Sequence, residues 1–144
     1  MQTSSKFYAF SWNEFDDCVD YIVQAIKSQN TNFHGVAGLP RGGLPLAVTL
    51  SHRLQIPYFD LNNKTEFKKF NKEGNNLLIV DDISDGGNTF IKLLEKINGP
   101  ANITTAALLK RRGTAYTPKF VGMEILGSEW IIFPWEERIY TFDK

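Results

Sequence analysis

The sequence has little that would tie it to an oxidising compartment, a membrane or a polyanion. Its 144 residues include one cysteine, Cys18, which excludes a disulfide within the chain and suits a reducing cytoplasm. No apolar run approaches the roughly 18 residues of a membrane span, and the N-terminus lacks the hydrophobic segment of a signal peptide. Acidic and basic residues number 16 each, so a net charge of zero gives no general attraction to nucleic acid. We therefore expect a cytoplasmic protein with neither a membrane nor a nucleic acid as partner.

What the sequence contains is the pattern of one α/β domain, residues 1–144. Apolar runs of strand length alternate with amphipathic helices, which predicts a parallel sheet with helices on both faces. Strands are predicted at residues 7–10, 33–37, 56–61, 77–82, 103–109, 120–126 and 130–133. Helices are predicted from Trp12, after a capping box at residues 11–14, and at residues 44–54 and 89–97. The polar, lysine-rich segment 62–76 shows no clear periodicity and is predicted to be a loop.

The chain is organised around residues 77–90, LLIVDDISDGGNTF. Four apolar residues predict a strand buried on both faces, and Asp81 and Asp82 lie at its carboxyl end, where open α/β sheets bind ligands. The glycines of the following turn allow a close backbone approach to an anion, and the next helix begins with free N–H groups. We predict a phosphate at residues 85–89 and a polyhydroxylated or metal-bound group beside the two aspartates. A sugar phosphate satisfies both.

A second anion-binding loop is predicted after the strand at residues 33–37. Arg41 is followed by Gly42 and Gly43, so a bidentate cation stands beside a backbone that is free to curl around an anion. Pro45 fits the first turn of the next helix. On its own this loop is equally consistent with an ordinary tight turn.

Together the two loops resemble the phosphoribosyl pyrophosphate (PRPP) motif and the pyrophosphate loop of type I phosphoribosyltransferases. The positions that match the PRPP motif are Asp81, Asp82, Asp85, Gly87 and Thr89, whereas Gly86 stands where the family usually has threonine. The resemblance implies a central, mostly parallel sheet flanked by helices. It also implies a small C-terminal hood, which we place at about residues 118–144.

The resemblance also implies roles for these residues. Asp81 and Asp82 would bind the ribose hydroxyls of PRPP, directly or through Mg²⁺. The 5′-phosphate would be held by Asp85, Gly86, Gly87, Asn88 and Thr89. The pyrophosphate would be held by Arg41, Gly42 and Gly43, with a cis peptide entering Arg41. Asp85 would also assist deprotonation of the acceptor base, and the segment 62–76 corresponds to a flexible loop that closes over the reaction centre.

Residues 129–136 resemble the purine-binding part of small phosphoribosyltransferases of the xanthine–guanine type. By that resemblance Trp130 stacks on the base, the backbone at Ile131 contacts its edge, and Glu136 accepts from a ring amine. Trp135 is expected to pack behind the pocket. A lysine after the strand at residues 103–109 would bind the exocyclic oxygen of the base, which indicates Lys110, with Arg111 as a register-shifted alternative.

The implied reaction joins an oxopurine (hypoxanthine, guanine or xanthine) to PRPP with Mg²⁺, giving a nucleoside 5′-monophosphate and pyrophosphate for purine salvage. A homodimer or homotetramer is expected from the same resemblance. Two alternatives remain at this point. One is a pyrimidine or other non-purine acceptor, and the other is a regulatory protein that keeps the PRPP site without catalysing the transfer.

Overall fold

A computed structural model describes residues 6–72, 74–97 and 102–136 of the chain. The strands are β1 (Phe7–Ala9), β2 (Gly35–Gly38), β3 (Asn76–Ser84), β4 (Asn102–Arg111), β5 (Phe120–Ile125) and β6 (Trp130–Ile132). The helices are α1 (Trp12–Ser28), α2 (Leu44–Leu54), α3 (Lys64–Lys72) and α4 (Asn88–Lys96). None of the helices within these ranges combines the length and the apolar character needed to cross a bilayer.

The main sheet has the order β2-β3-β4-β5, and all three strand pairs are parallel. The side chains of β3 lie alternately on the two faces of the sheet, because successive residues of a strand point to opposite sides. Leu78 and Val80 join the core under α1 and α2, whereas Ile79 packs with Phe90 of α4. The predicted α/β fold with helices on both faces of a parallel sheet is therefore confirmed.

Helix α1 begins as its capping box predicts. The Ser11 hydroxyl accepts from the Glu14 backbone N–H at 3.0 Å, and the Glu14 carboxylate accepts from the Ser11 N–H at 2.9 Å. The helix buries a face at helical spacing that consists of Phe15, Cys18, Val19, Ile22, Val23 and Ile26. Cys18 is thus a core residue, and burial raises the pKa of its thiol to about 11.

The prediction was wrong for residues 56–76. The segment 56–61 makes one parallel bridge, between Val36 and Tyr58, instead of a strand. The segment predicted to be a loop contains α3, because Phe67 and Phe70 are spaced to share one helical face and both stack on Phe59. The surrounding lysines obscure that apolar pair in the sequence, and Lys64, Lys68 and Lys69 are exposed on α3.

The hood is a separate two-stranded sheet built from both ends of the chain. β1 pairs in parallel with β6, with Tyr8 opposite Ile131. Residues 120–125 were predicted to belong to the hood, but they form β5, the edge strand of the main sheet, because Phe120 and Ile125 are buried in the core under α1. Residues 137–144 of the predicted hood lie outside the described residues.

Candidate active site

Three loops meet at the carboxyl edge of the main sheet, since parallel strands all end there. The backbone N–H of Leu39, after β2, donates to the Val80 carbonyl of β3 at 2.9 Å. The Ala115 N–H, after β4, donates to the Gly86 carbonyl in the turn after β3 at 3.1 Å. These bonds bring the two predicted anion-binding loops and the β4–β5 loop together, as the strand pattern predicts.

The turn predicted to bind the 5′-phosphate lies in a cavity of about 410 Å³ lined by the consecutive residues 81–90. Gly87 caps α4 with a φ of +89°, a conformation that favours glycine, and a Cβ there would lie 2.5 Å from the Tyr116 nitrogen. Within the described ranges, no acceptor pairs with the backbone N–H groups of Gly87, Asn88 or Thr89. The turn can therefore present a set of N–H donors to an anion.

Asp81 and Asp82 form a half-buried acidic pair at the end of β3. The Asp81 carboxylate accepts from the Asp82 N–H at 2.8 Å, and the Asp82 carboxylate accepts from the Ile83 N–H at 2.7 Å. Burial, followed by repulsion from Asp82, raises the pKa of Asp81 to about 8, and burial also raises the pKa of Asp82. Two crowded carboxyl groups of this kind attract a proton, a cation or a hydroxyl donor.

The pair fits a Mg²⁺ ion that completes its coordination with water and ligand oxygens. Mg²⁺ prefers oxygen donors and is commonly bound through one or two carboxylates plus substrate phosphates. Across the described residues, no group of three or more His, Cys, Asp and Glu side chains is arranged to hold a metal. Asp81 and Asp82 can therefore hold such an ion jointly with a ligand.

The predicted pyrophosphate loop lies directly against this acidic pair. A Cβ at Gly42 would overlap the Asp82 carboxylate, so any larger residue there would require that carboxylate to move. The Pro40–Arg41 peptide is cis, as the resemblance implied. Arg41 is exposed and has no ion-pair partner in the described part of the chain, which leaves its guanidinium available to an anion.

A smaller cavity of about 190 Å³ adjoins the first and is capped by the hood. Its lining consists of Asp82, Ile83, Asp85, Arg111, Trp130, Ile131, Phe133 and Glu136. The Trp130 side chain is 59% exposed, whereas Ile131 is buried. Glu136 accepts from the Phe133 N–H at 3.0 Å through one carboxylate oxygen. The fold thus brings together, next to the acidic pair, the three residues that were predicted to contact a base: Trp130, Ile131 and Glu136.

Trp135 packs behind this cavity, as expected. Its ring stacks on Phe133 with centroids 5.0 Å apart and contacts Phe15 of α1 edge-on. The two tryptophans of the segment therefore differ in environment, and only Trp130 presents its ring to the cavity.

The structure does not bring Lys110, predicted to bind the base, into this cavity. Lys110 follows Ala106 and Leu108 on the face of β4 that packs under α1, because side chains alternate along a strand. There it pairs with Glu124 at 3.6 Å and lines a different cavity between α1 and β5. Arg111, the register-shifted alternative, occupies the position next to the acidic pair.

Arg111 forms a pair with Asp85 that the sequence analysis missed. Its Nε and Nη2 donate to the two carboxylate oxygens of Asp85 at 3.1 and 3.4 Å, and its Nη1 donates to the Gly127 carbonyl at 2.8 Å. The Arg111 side chain is only 16% exposed. Side chains alternate between the two faces of a strand. The spacing of Arg111 from the buried residues of β4 would therefore have indicated the face on which it lies.

Comparisons with known proteins agree with this geometry. Residues 11–141 match the phosphoribosyl transferase domain. The chain is 24% identical over 154 residues to the xanthine-guanine phosphoribosyltransferase of Idiomarina loihiensis, covering 97% of this chain and 93% of that protein. Its structure resembles the purine phosphoribosyltransferase of Pyrococcus horikoshii, with a TM-score of 0.75 at 24% identity over 91% of this chain and 95% of that one.

It also resembles the xanthine-guanine-hypoxanthine phosphoribosyltransferase of Helicobacter pylori, with a TM-score of 0.73 at 19% identity over 95% and 98% of the two chains. At these identities the structural matches establish the fold, whereas the family follows from the domain match over most of the chain. The chain therefore belongs to the phosphoribosyl transferase domain family, a family of transferases.

Proposed function

We propose that this enzyme transfers the 5-phosphoribosyl group of PRPP to an oxopurine, releasing pyrophosphate and forming a nucleoside 5′-monophosphate. The observation that carries the proposal is that the two adjoining cavities share Asp82, Ile83 and Asp85. The turn predicted to bind the phosphate lines one cavity, and an exposed tryptophan lines the other. A nucleoside monophosphate has the same order of parts, with a phosphate, a ribose and a flat base.

The chemistry at the ribose calls for negative charge beside the sugar and positive charge beside the leaving group. The bond from the anomeric carbon to the pyrophosphate oxygen loosens before the base nitrogen arrives, so positive charge develops on the ring as in glycoside cleavage. Asp81 and Asp82 would hold the ribose hydroxyls beneath that charge. The N–H groups of residues 85–89 would fix the 5′-phosphate and thereby orient the sugar.

The leaving pyrophosphate would be received by Arg41 and by the backbone at Gly42 and Gly43. Mg²⁺ held by Asp81, Asp82 and substrate oxygens would neutralise charge on the diphosphate. The exposed Arg41 guanidinium and the close approach of Gly42 to Asp82 support this arrangement, because the loop at residues 41–43 lies beside the acidic pair.

The base would stack on Trp130 with its edges read by the backbone at Ile131, by Glu136 and by Arg111. Guanidinium carries five N–H donors, and three of those on Arg111 are used by Asp85 and Gly127. The remaining two can donate to an exocyclic oxygen of an oxopurine. We propose Arg111 for this contact in place of Lys110.

Glu136 favours guanine and hypoxanthine over xanthine. One of its carboxylate oxygens accepts from the Phe133 N–H, and the carboxylate lines the base cavity. A carboxylate accepts from the 2-amino group of guanine but is repelled by the second oxygen of xanthine. Hypoxanthine carries neither group and avoids the repulsion.

Asp85 is the proposed proton acceptor for the base, since it lines both cavities. Asp85→Asn should keep affinity for PRPP and lower turnover by about 100-fold or more, the scale of general base catalysis. Steady-state kinetics would separate the two effects. Intact turnover with weakened substrate affinity would reduce Asp85 to a positioning role.

The direct test of the proposal measures pyrophosphate release from PRPP and Mg²⁺ with hypoxanthine, guanine, xanthine, adenine, orotate and uracil in separate reactions. Mass spectrometry would identify the nucleotide. We expect release with guanine and hypoxanthine and weaker release with xanthine. Release with orotate or uracil alone would replace the purine by a pyrimidine acceptor. PRPP binding without release from any base would favour a regulatory protein.

We further propose that the enzyme acts in cytoplasmic purine salvage as a homodimer or homotetramer. This rests on the similarity to purine-type relatives and on the single, buried cysteine. Size-exclusion chromatography with light scattering would measure the assembly, and a monomer at micromolar concentration would contradict it.

A further inference from the structure

Two buried polar side chains of the main sheet converge on one tyrosine, Tyr116. Ser84 and Thr105 are each 2% exposed and are the buried polar residues of the described ranges. The Ser84 hydroxyl donates to the Tyr116 carbonyl at 2.7 Å, and the Thr105 and Tyr116 hydroxyls lie 2.8 Å apart. Buried hydroxyl groups need partners, so these bonds fix Tyr116 firmly to β3 and β4.

Residues 114–116, the segment that contains Tyr116, pack against the turn at residues 85–89. The Ala115 N–H donates to the Gly86 carbonyl, and the Tyr116 nitrogen lies 2.5 Å from where a Cβ of Gly87 would be. The Tyr116 ring also packs on Phe90 of α4, with centroids 5.3 Å apart. Segment 114–116 therefore contacts the turn at its start, at its centre and at the helix that follows.

We infer that Tyr116 is a positioning residue for the phosphate-binding turn. The turn contains two adjacent glycines, which would otherwise leave its backbone free to sample many conformations. Donors that are held in place before the ligand arrives cost no ordering on binding. Tyr116 supplies that order by connecting the turn to the buried hydroxyls of Ser84 and Thr105. That the ligand is a phosphoribosyl group rests on the proposed function. The packing of residues 114–116 against the turn, here called the bracing contact, does not depend on it.

The bracing contact is tested by hydrogen exchange in Tyr116→Phe and Ser84→Ala. The amides to follow are those of Ala115, which donates to Gly86, and Ile91, which donates to Gly87. Both variants should exchange these amides several-fold faster while the amides of β3 keep their protection. Tyr8→Phe is the matched control, because it removes a tyrosine hydroxyl that bonds Glu14 on α1. Unchanged exchange at both amides, or equal acceleration along β3, would overturn the inference.

The effect on ligand binding is measured by calorimetry with two separate probes. Ribose 5-phosphate should bind Tyr116→Phe and Ser84→Ala several-fold more weakly than wild type, whereas Mg-pyrophosphate should bind all three alike. Equal weakening for both probes would show a general loss of structure and overturn the positioning role. Failure of the wild type to bind ribose 5-phosphate would instead count against the proposed function, and the exchange data would still decide the role of Tyr116.

Discussion

Trp130 is a large aromatic side chain that the fold leaves 59% exposed at the mouth of a small cavity. Stacking of a base on an aromatic ring is worth about 1–3 kcal/mol. Trp130→Ala should therefore raise the KM for the base by about 5- to 150-fold, with the KM for PRPP little changed. Trp130→Phe should recover most of the loss. Equal KM values for the base in wild type and Trp130→Ala would contradict stacking.

Asp81 makes the stability of the free enzyme depend on pH. Burial and the neighbouring carboxylate raise its pKa from 3.8 to about 8, so between those values the folded chain binds a proton that the unfolded chain has released. Stability therefore falls as pH rises through this window, because deprotonation is harder in the folded state. Asp81→Asn has no carboxyl group to deprotonate at this position. Its Tm should therefore exceed that of wild type by an amount that grows from pH 5 to pH 8.

Thermal unfolding of wild type and Asp81→Asn at several pH values measures this effect. Asp16→Asn, which removes an exposed carboxylate of α1, should not reproduce the trend. With Mg-PRPP present the order at pH 8 should reverse, since the variant lacks a carboxylate for the ligand. A Tm difference that does not change with pH would contradict the raised pKa.

The sequence could indicate which residues of the candidate site lie together, because each loop is contiguous in sequence. Asp81 and Asp82 and the turn 85–89 follow one strand, so locating that strand located the loop. The Asp85–Arg111 pair could not be found in this way, because it joins two loops through the three-dimensional order of the strands. The placement of Lys110 in a different cavity could not be predicted, because composition does not show which face of a strand a side chain takes.

At the scale of elements, the register of β4 decides which cation lines the cavity proposed to bind the base. Arg111→Ala should raise the KM for an oxopurine by about 10-fold or more, since hydrogen bonds from charged groups are worth about 1.5–3 kcal/mol. Lys110→Ala is the matched control on the opposite face and should leave that KM within about twofold. Kinetics with guanine would distinguish them, and a larger effect of Lys110→Ala would restore the original assignment.

The packing of α1 on β5 depends on a glycine. A Cβ at Gly122 would lie 2.6 Å from both the Leu108 carbonyl oxygen and the Cys18 Cβ. Gly122→Ala should therefore lower the free energy of unfolding by about 1–3 kcal/mol, as overpacking does. Gly86→Ala, whose Cβ would meet only Asn88 at 4.0 Å, is the control for denaturant unfolding. Equal stability of the two variants would contradict the close approach.

Helices and strands were predictable where one periodicity governed them, as in α1 and β3. Helix α3 was not, because its stability comes from Phe67 and Phe70 stacking on Phe59, a contact outside its own sequence. Tertiary packing commonly overrides local propensity in this way.

For the whole molecule, the alternation of strands and helices predicted a parallel sheet, but not how the chain ends combine. β1 and β6 come from opposite ends of the chain, and their pairing places Ile131 and Trp130 over the sheet edge. The cavity proposed to bind the base is consequently formed by the hood and the main sheet together. The sequence contains both strands without showing that they meet.

A crystal structure with guanosine 5′-monophosphate would show whether one ligand spans the two adjoining cavities. We expect the phosphate against the N–H groups of residues 87–89, the ribose at Asp81 and Asp82, and guanine stacked on Trp130 within reach of Arg111. A phosphate bound elsewhere, or a base lying away from Trp130, would contradict it.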